Sequence, residues 1–119
     1  NNPRVAELYD SFHPAVLGAL KHVAEEAKKN NCTVSVCGEM AGNPAGALLL
    51  MAMGYDMLSM NATNLPRVKS VIRSVDHSYA TALLDEVMEM DNGQIIISTI
   101  ELALNKLGQG RMLGPSTVQ

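Results

Sequence analysis

The sequence is short of cysteine, of long apolar runs and of charge of one sign, and each shortage removes a class of protein. Two cysteines, Cys32 and Cys37, cannot make a disulfide framework. They lie an odd number of residues apart, so on one strand they point to opposite faces, and both read as thiols of a reducing compartment. No run approaches the roughly 20 apolar residues of a membrane span. The opening Asn1-Asn2-Pro3 has no methionine, no basic segment and no apolar signal core. A soluble, cytoplasmic chain is expected, and the abrupt start suggests a piece of something longer. The net charge is −3 and the nine Lys and Arg are scattered, so neither nucleic acid nor a membrane surface is indicated as a partner. Small molecules or other protein chains remain. The three histidines, His13, His22 and His77, lack metal-ligand spacing and read as solvated or capping residues. No internal repeat or low-complexity block is present.

What is present centres on Thr33 to Met60. Thr33-Val34-Ser35-Val36 alternates polar and apolar side chains at the strand period, which puts Val34 and Val36 on one face and Thr33, Ser35 and Cys37 on the other. Gly38 and Gly42 loosen the backbone after Cys37. Asn43 can cap a helix and Pro44 suits its first turn, where the missing N–H costs nothing. The helix that follows is apolar nearly all round through Leu48, Leu49, Leu50 and Met51, so it is expected to be buried, and Gly54 suits its C-terminal stop. A second β-type run, Met57-Leu58-Ser59-Met60, completes a strand–helix–strand unit with parallel strands expected. Cys37 then stands at the C-terminal end of the first strand, the end at which parallel α/β folds bind ligands.

The flanks read as helices around one core, since 119 residues with 47% apolar content make a single domain. From His13-Pro14 a long helix carries Val16, Leu20, Val23, Ala24 and Ala27 as one stripe facing the sheet, and Lys28 and Lys29 suit its C-terminus. After the polar turn Asn61-Ala62-Thr63-Asn64, Pro66 starts a helix with Val68, Val71, Ile72 and Val75 on one face. That turn can cap the helix or hold an anion. A third helix, Asp76 to Met90, buries Tyr79, Leu83, Val87 and Met90 and turns Asp85, Glu86 and Glu89 outward. Asp91-Asn92-Gly93 breaks it. Ile95-Ile96-Ile97 has strand propensity, yet the spacing of Ile96, Ile100, Ala103, Leu104 and Leu107 predicts a helix from Gln94 to Leu107. Residues 108–119, with Gly108, Gly110, Gly114 and Pro115, read as a flexible tail.

Several of these stretches carry a family resemblance. Val36-Cys37-Gly38-Glu39-Met40-Ala41-Gly42, Gly54-Tyr55-Asp56, Leu58-Ser59-Met60-Asn61, Leu65-Pro66-Arg67-Val68-Lys69 and Ile72-Arg73 resemble the C-terminal end of the phosphoenolpyruvate-utilising enzymes. Asn1-Asn2-Pro3 and Leu8-Tyr9 match the segment that in this family follows an active-site arginine. Within the family the chain is most similar to the phosphoenolpyruvate–protein phosphotransferases, in particular their nitrogen-regulatory branch. The resemblance implies an α/β fold: residues 1–107 as the C-terminal fragment of a TIM (β/α)8 barrel, about its last two βα units, helix-rich with two short parallel strands. It implies phosphoenolpyruvate and Mg2+ bound at the C-terminal ends of the strands, with metal ligands, substrate-binding arginines and the phosphorylated histidine all outside this sequence.

The chemistry implied is transfer of the phosphoryl group to a histidine of a separate domain and then to a phosphocarrier protein. The enolpyruvate left behind is protonated to pyruvate by the family's cysteine, which Cys37 matches. A thiol of ordinary pKa, about 8.5, is protonated at neutral pH and can serve as the acid. On spacing alone Cys37 could equally be a small buried thiol. Glu39 is a candidate acid or metal ligand, but the family's acidic ligands come from earlier strands, and a structural role is expected of it. Cys32 matches no catalytic position. The family's barrel also forms homodimers, so a structural and dimerisation module is the alternative. Pyruvate phosphate dikinase and phosphoenolpyruvate synthase share the cysteine chemistry and differ in phosphoryl partner. Taken alone, the chain is expected to be inactive, with two unpaired strand edges that invite association with another copy.

Overall fold

A computed structural model of the protein describes residues 10–37, 39–60 and 62–113, with side chains as far as residue 107 and without that of Cys37. The elements in order are α1 (Pro14–Lys29), β1 (Ser35–Cys37), α2 (Pro44–Met53), β2 (Met57–Ser59), α3 (Leu65–Ser74), α4 (His77–Val87) and α5 (Gly93–Leu113). This is a helix-rich α/β arrangement with two short parallel strands. Ser35 pairs with Met57, Val36 with Leu58 and Cys37 with Ser59.

The centre of the structure is α2, which packs against α1, α3, α4 and α5. Its sequence explains that position. Ala45 through Leu50 and Met53 are all buried, so the helix offers apolar surface in every direction. Both of its ends are fixed. The Asn43 side-chain oxygen accepts from the backbone N–H groups of Ala45 (2.9 Å) and Gly46 (3.2 Å), and Pro44 occupies the first turn. At the other end Gly54 adopts φ of 107°, its N–H reaches the Leu50 and Met51 carbonyls, and the Tyr55 N–H reaches Leu50. Gly46 answers a different need. A Cβ there would lie 2.1 Å from the Met40 carbonyl oxygen, so the turn between β1 and α2 is seated directly on the helix backbone.

The strands are shorter than their β-type runs. Pairing begins at Ser35 because the Asp56 carboxylate accepts from the Val34 N–H (2.9 Å), while the Asp56 and Met57 N–H groups donate to the Val34 carbonyl. One face of the pair, Val36 and Leu58, packs on the core. On the other face Ser35, Met57 and Ser59 are exposed, Met57 by 61%.

Two helices are rotated from their expected stripes. In α1 the buried residues are Leu17 and Ala24, with Leu20 half-buried, while Val16 and Val23 are exposed, and the helix packs chiefly on α2 rather than on the sheet. The apolar arc of α1 is wide enough for either setting. Small Ala24 and the Tyr55 hydroxyl, which donates to the Leu20 carbonyl at 2.9 Å, select this one. In α4 the inward residues are Ala80, Leu83, Leu84 and Val87, spaced i, i+3, i+4, i+7, and Tyr79 lies outside. Ala80 allows closer approach to α2 than a phenol ring would. Asp85, Glu86 and Glu89 are exposed as expected.

The other two helices follow their patterns. In α3, Val68 and the flanking Val75 are buried, with Val71 and Ile72 half-buried. In α5, Ile96, Ile97 and Ile100 enter the core, with Ala103, Leu104 and Leu107 beside them, and Asn92 caps the Gln94 and Ile95 N–H groups. The helix outruns its expected end at Leu107 and continues to Leu113, across the start of the expected tail. Glycines at 108 and 110 lower helix propensity by about 1 kcal/mol each without forbidding the conformation. Residues 114–119 of that tail lie outside the described residues.

Candidate active-site edge

Cys37 closes β1 and Ser59 closes β2, and the register places them opposite each other on the last rung of the ladder. Both chains then turn into helices on the same side, α2 after β1 and α3 after β2. The two turns touch, since a Cβ on Gly42 would lie 2.7 Å from the Asn64 side-chain nitrogen. Met40 and Ala41 are buried beneath this edge, and Glu39 is exposed at its rim. The thiol-bearing position is therefore fixed from three directions: the strand pairing, the Met40 carbonyl seated on Gly46, and the Asn43 cap of α2. The side chain of Cys37 itself lies outside the described residues, as does Gly38.

The other candidates lie elsewhere. Cys32 is an exposed free thiol before the opposite end of β1, donating to the Asn30 carbonyl at 3.6 Å. His13 caps α1, its Nδ1 accepting from the Ala15 N–H at 3.0 Å, and His22 and His77 are exposed on helices, His77 also accepting from Thr81 through its carbonyl. Among the described residues no group of three or more His, Cys, Asp or Glu could hold a metal ion. Asn64 makes no side-chain cap to α3. Burial raises the Tyr55 phenol above its ordinary value, and the protonated hydroxyl is the form that donates to Leu20.

Two residues that matter to this edge were not evident from composition or periodicity. Ser59 becomes visible only once the register is known, although its place at the end of the second β-type run was the available signal. Asp56 acts across 22 residues on Val34, a contact with no local signature beyond an acidic residue at a strand start. A groove of about 670 Å³ lies nearby, lined by Pro44, Ala45, Pro66, Arg67, Glu101 and Asn105 among others, and Glu39 and Ser59 are not part of its lining.

Residues 1–77 match the family described as PEP-utilising enzyme, PEP-binding domain. The chain is 37% identical over 113 residues to a protein of Salmonella typhimurium named phosphoenolpyruvate-dependent phosphotransferase system, covering 95% of this chain and 15% of that protein. It is 41% identical over 90 residues to a phosphoenolpyruvate-protein phosphotransferase of Haloferax volcanii, covering 76% of this chain and 16% of that protein. A Haemophilus influenzae protein of the same name is 36% identical over 100 residues, 84% of this chain and 17% of that protein. The chain spans about a sixth of the length of these relatives. No described helix is long and apolar enough to cross a membrane. With a thiol position at the C-terminal edge of a parallel pair and these matches along its length, the chain belongs to the phosphoenolpyruvate-utilising enzymes.

Proposed function

We propose that this chain is the closing part of the TIM-barrel domain of a phosphoenolpyruvate–protein phosphotransferase and that Cys37 is the acid that turns enolpyruvate into pyruvate. The observation that carries this reading is the position of Cys37 on the last rung of a parallel pair, at the edge where two strand-to-helix turns meet. Phosphoryl transfer from phosphoenolpyruvate to a histidine leaves the enolate of pyruvate. The Cys37 S–H bond then breaks, its proton forms the new C–H bond at the methylene carbon, and sulfur keeps the electron pair as thiolate. Water returns the proton afterwards. A free thiol is required throughout, which favours a reducing, cytoplasmic setting.

The remaining groups come from outside these 119 residues: the phosphorylated histidine, the arginines that hold substrate, and the ligands of Mg2+. Magnesium would supply charge stabilisation to the phosphoryl group. Residues 1–107 contribute the barrel segment, and a phosphocarrier protein accepts the phosphoryl group. A homodimer is supported by the apolar residues exposed on several helices, among them Val23, Tyr79, Ile95 and Leu102.

The test is pyruvate release from phosphoenolpyruvate by the full-length parent and its Cys37→Ala variant. Turnover should collapse while the helical content and the oligomer persist. A variant that still makes pyruvate at the parental rate would leave the chain a structural segment of the barrel and no more.

A further inference from the structure

Asn43 and Asn92 do the same work at the starts of α2 and α5, and only one of them is chemically secure. Each side-chain oxygen accepts from two backbone N–H groups: Asn43 from Ala45 and Gly46, Asn92 from Gln94 (2.8 Å) and Ile95 (3.1 Å). The residue that follows differs. Pro44 has no N–H, whereas Gly93 has one and no Cβ to shield it. That N–H belongs to the orphan donors of a helix start and finds no acceptor among the described residues. Asn92 is exposed, and Asn92-Gly93 is the only Asn-Gly pair in the sequence.

We propose that Asn92 is a site of spontaneous modification, deamidated by the backbone of Gly93. The Gly93 nitrogen gives its proton to water or hydroxide and attacks Asn92 Cγ. A new C–N bond closes a succinimide ring, and the side-chain nitrogen takes a proton and leaves as ammonia. Water then opens the ring. Cleavage of the bond from Cγ to the Gly93 nitrogen leaves aspartate, and cleavage of the main-chain bond leaves isoaspartate, whose chain runs through Cβ and Cγ. Ring closure swings the Gly93 nitrogen towards Cγ and breaks the cap, a motion that is cheap at a helix end. The two products differ in consequence. Aspartate can cap again and adds negative charge where the helix dipole favours it. Isoaspartate lengthens the main chain, so Gln94 and Ile95 lose their acceptor and the first turn of α5 stays open beside buried Ile96 and Ile97.

The experiment incubates the full-length parent in water enriched in heavy oxygen at mildly alkaline pH and follows its peptides by mass spectrometry, since each ring opening leaves one labelled oxygen. The Asn92 peptide should gain label several-fold faster than those of Asn30, Asn31, Asn64 and Asn105, with isoaspartate as the larger product. Gly93→Pro copies the start of α2, keeps the Asn92 acceptor and suits the first helical position, so it should abolish labelling there. Gly93→Ala, a milder change, should slow it several-fold. In hydrogen exchange Asn92→Asp should keep the Gln94 and Ile95 amides slow, and the separated isoaspartyl form should lose that protection. An Asn92 peptide that labels no faster than the other asparagines overturns the proposal. So does labelling that persists at the parental rate in both Gly93 variants.

Discussion

The same substitution, glycine to alanine, should have opposite signs at two helical positions of this protein. At Gly18, half-buried on α1, a new Cβ meets nothing within 4 Å, so only the propensity gain of about 1 kcal/mol remains. At Gly46, in the first turn of α2, the new Cβ would stand 2.1 Å from the Met40 carbonyl oxygen and 2.7 Å from the Met40 Cγ. The side chain can swing away, but the carbonyl cannot do so freely, because it also accepts from the Asn43 N–H at 3.3 Å in the turn that caps α2. Overpacking against backbone belongs at the upper end of its usual cost, about 3 kcal/mol, and the propensity gain returns about 1. Gly46→Ala should therefore destabilise by about 2 kcal/mol while Gly18→Ala stabilises. Hydrogen exchange of the slowest α2 amides in the intact protein measures both. The strain is relieved only by moving residues 40–43, which follow Cys37, so turnover of the parent should fall with Gly46→Ala even at temperatures where the fold survives. If Gly46→Ala raises protection as Gly18→Ala does, the seating of this turn on α2 is wrong.

Tyr55 predicts an alkaline dependence. Its folded pKa is raised, so its contribution is fully present below the unfolded value near 10 and is lost as pH climbs through 10 towards the folded value. Tyr55→Phe should cost about 1 kcal/mol at neutral pH and flatten the alkaline limb of a stability–pH curve; an unchanged limb refutes it. Asp56→Ala should cost about 1 kcal/mol by removing the acceptor of the Val34 N–H, whereas Asp56→Asn, which keeps an acceptor oxygen, should cost less; equal losses in urea titrations would show that charge and not the bond matters. The 119-residue chain by itself should release no pyruvate from phosphoenolpyruvate, and measurable turnover would contradict the assignment of the remaining groups to other parts of the parent. In sedimentation it should run above its monomer mass of 12.7 kDa; a clean monomer would show that the exposed Val23, Ile95 and Leu102 need no partner.

Local chemistry was legible where a residue type admits one conformation. Asn43-Pro44 and Gly54 marked both ends of α2, and its unbroken apolar character announced burial, because caps and helix stops depend on a few backbone groups of the same segment. The isoleucines of α5 shared strand and helix propensity, and the continuing spacing to Leu107 decided for helix. What could not be read was rotation. In α1 and α4 the apolar residues cover more than one stripe, and only the approach of α2 selects Leu17 over Val16 and Ala80 over Tyr79. The strand ends were equally hidden, since Asp56 truncates the ladder from a neighbouring segment. At the site, the position of Cys37 was legible from its β-type run and the glycine-rich turn, while its rung partner Ser59 needed the register between two strands.

The two faces of the sheet divide the work of this segment. Val36 and Leu58, half-buried, pack against a core organised by α2, with no buried polar or charged side chain among the described residues. On the opposite face Ser35, Met57 and Ser59 are exposed, and Met57 is too apolar to be left in water without cost. The backbone of Cys37 is held in place from the core side, through the ladder, the Met40 carbonyl and the Asn43 cap. Its reactivity is another matter. The acidity of a sulfur and its access to water follow from what covers the open face, and in a closed barrel that cover is the remaining strands. Position and reactivity thus have separate origins, so a lesion such as Gly46→Ala, which displaces residues 40–43, should lower turnover of the parent without changing what covers the open face.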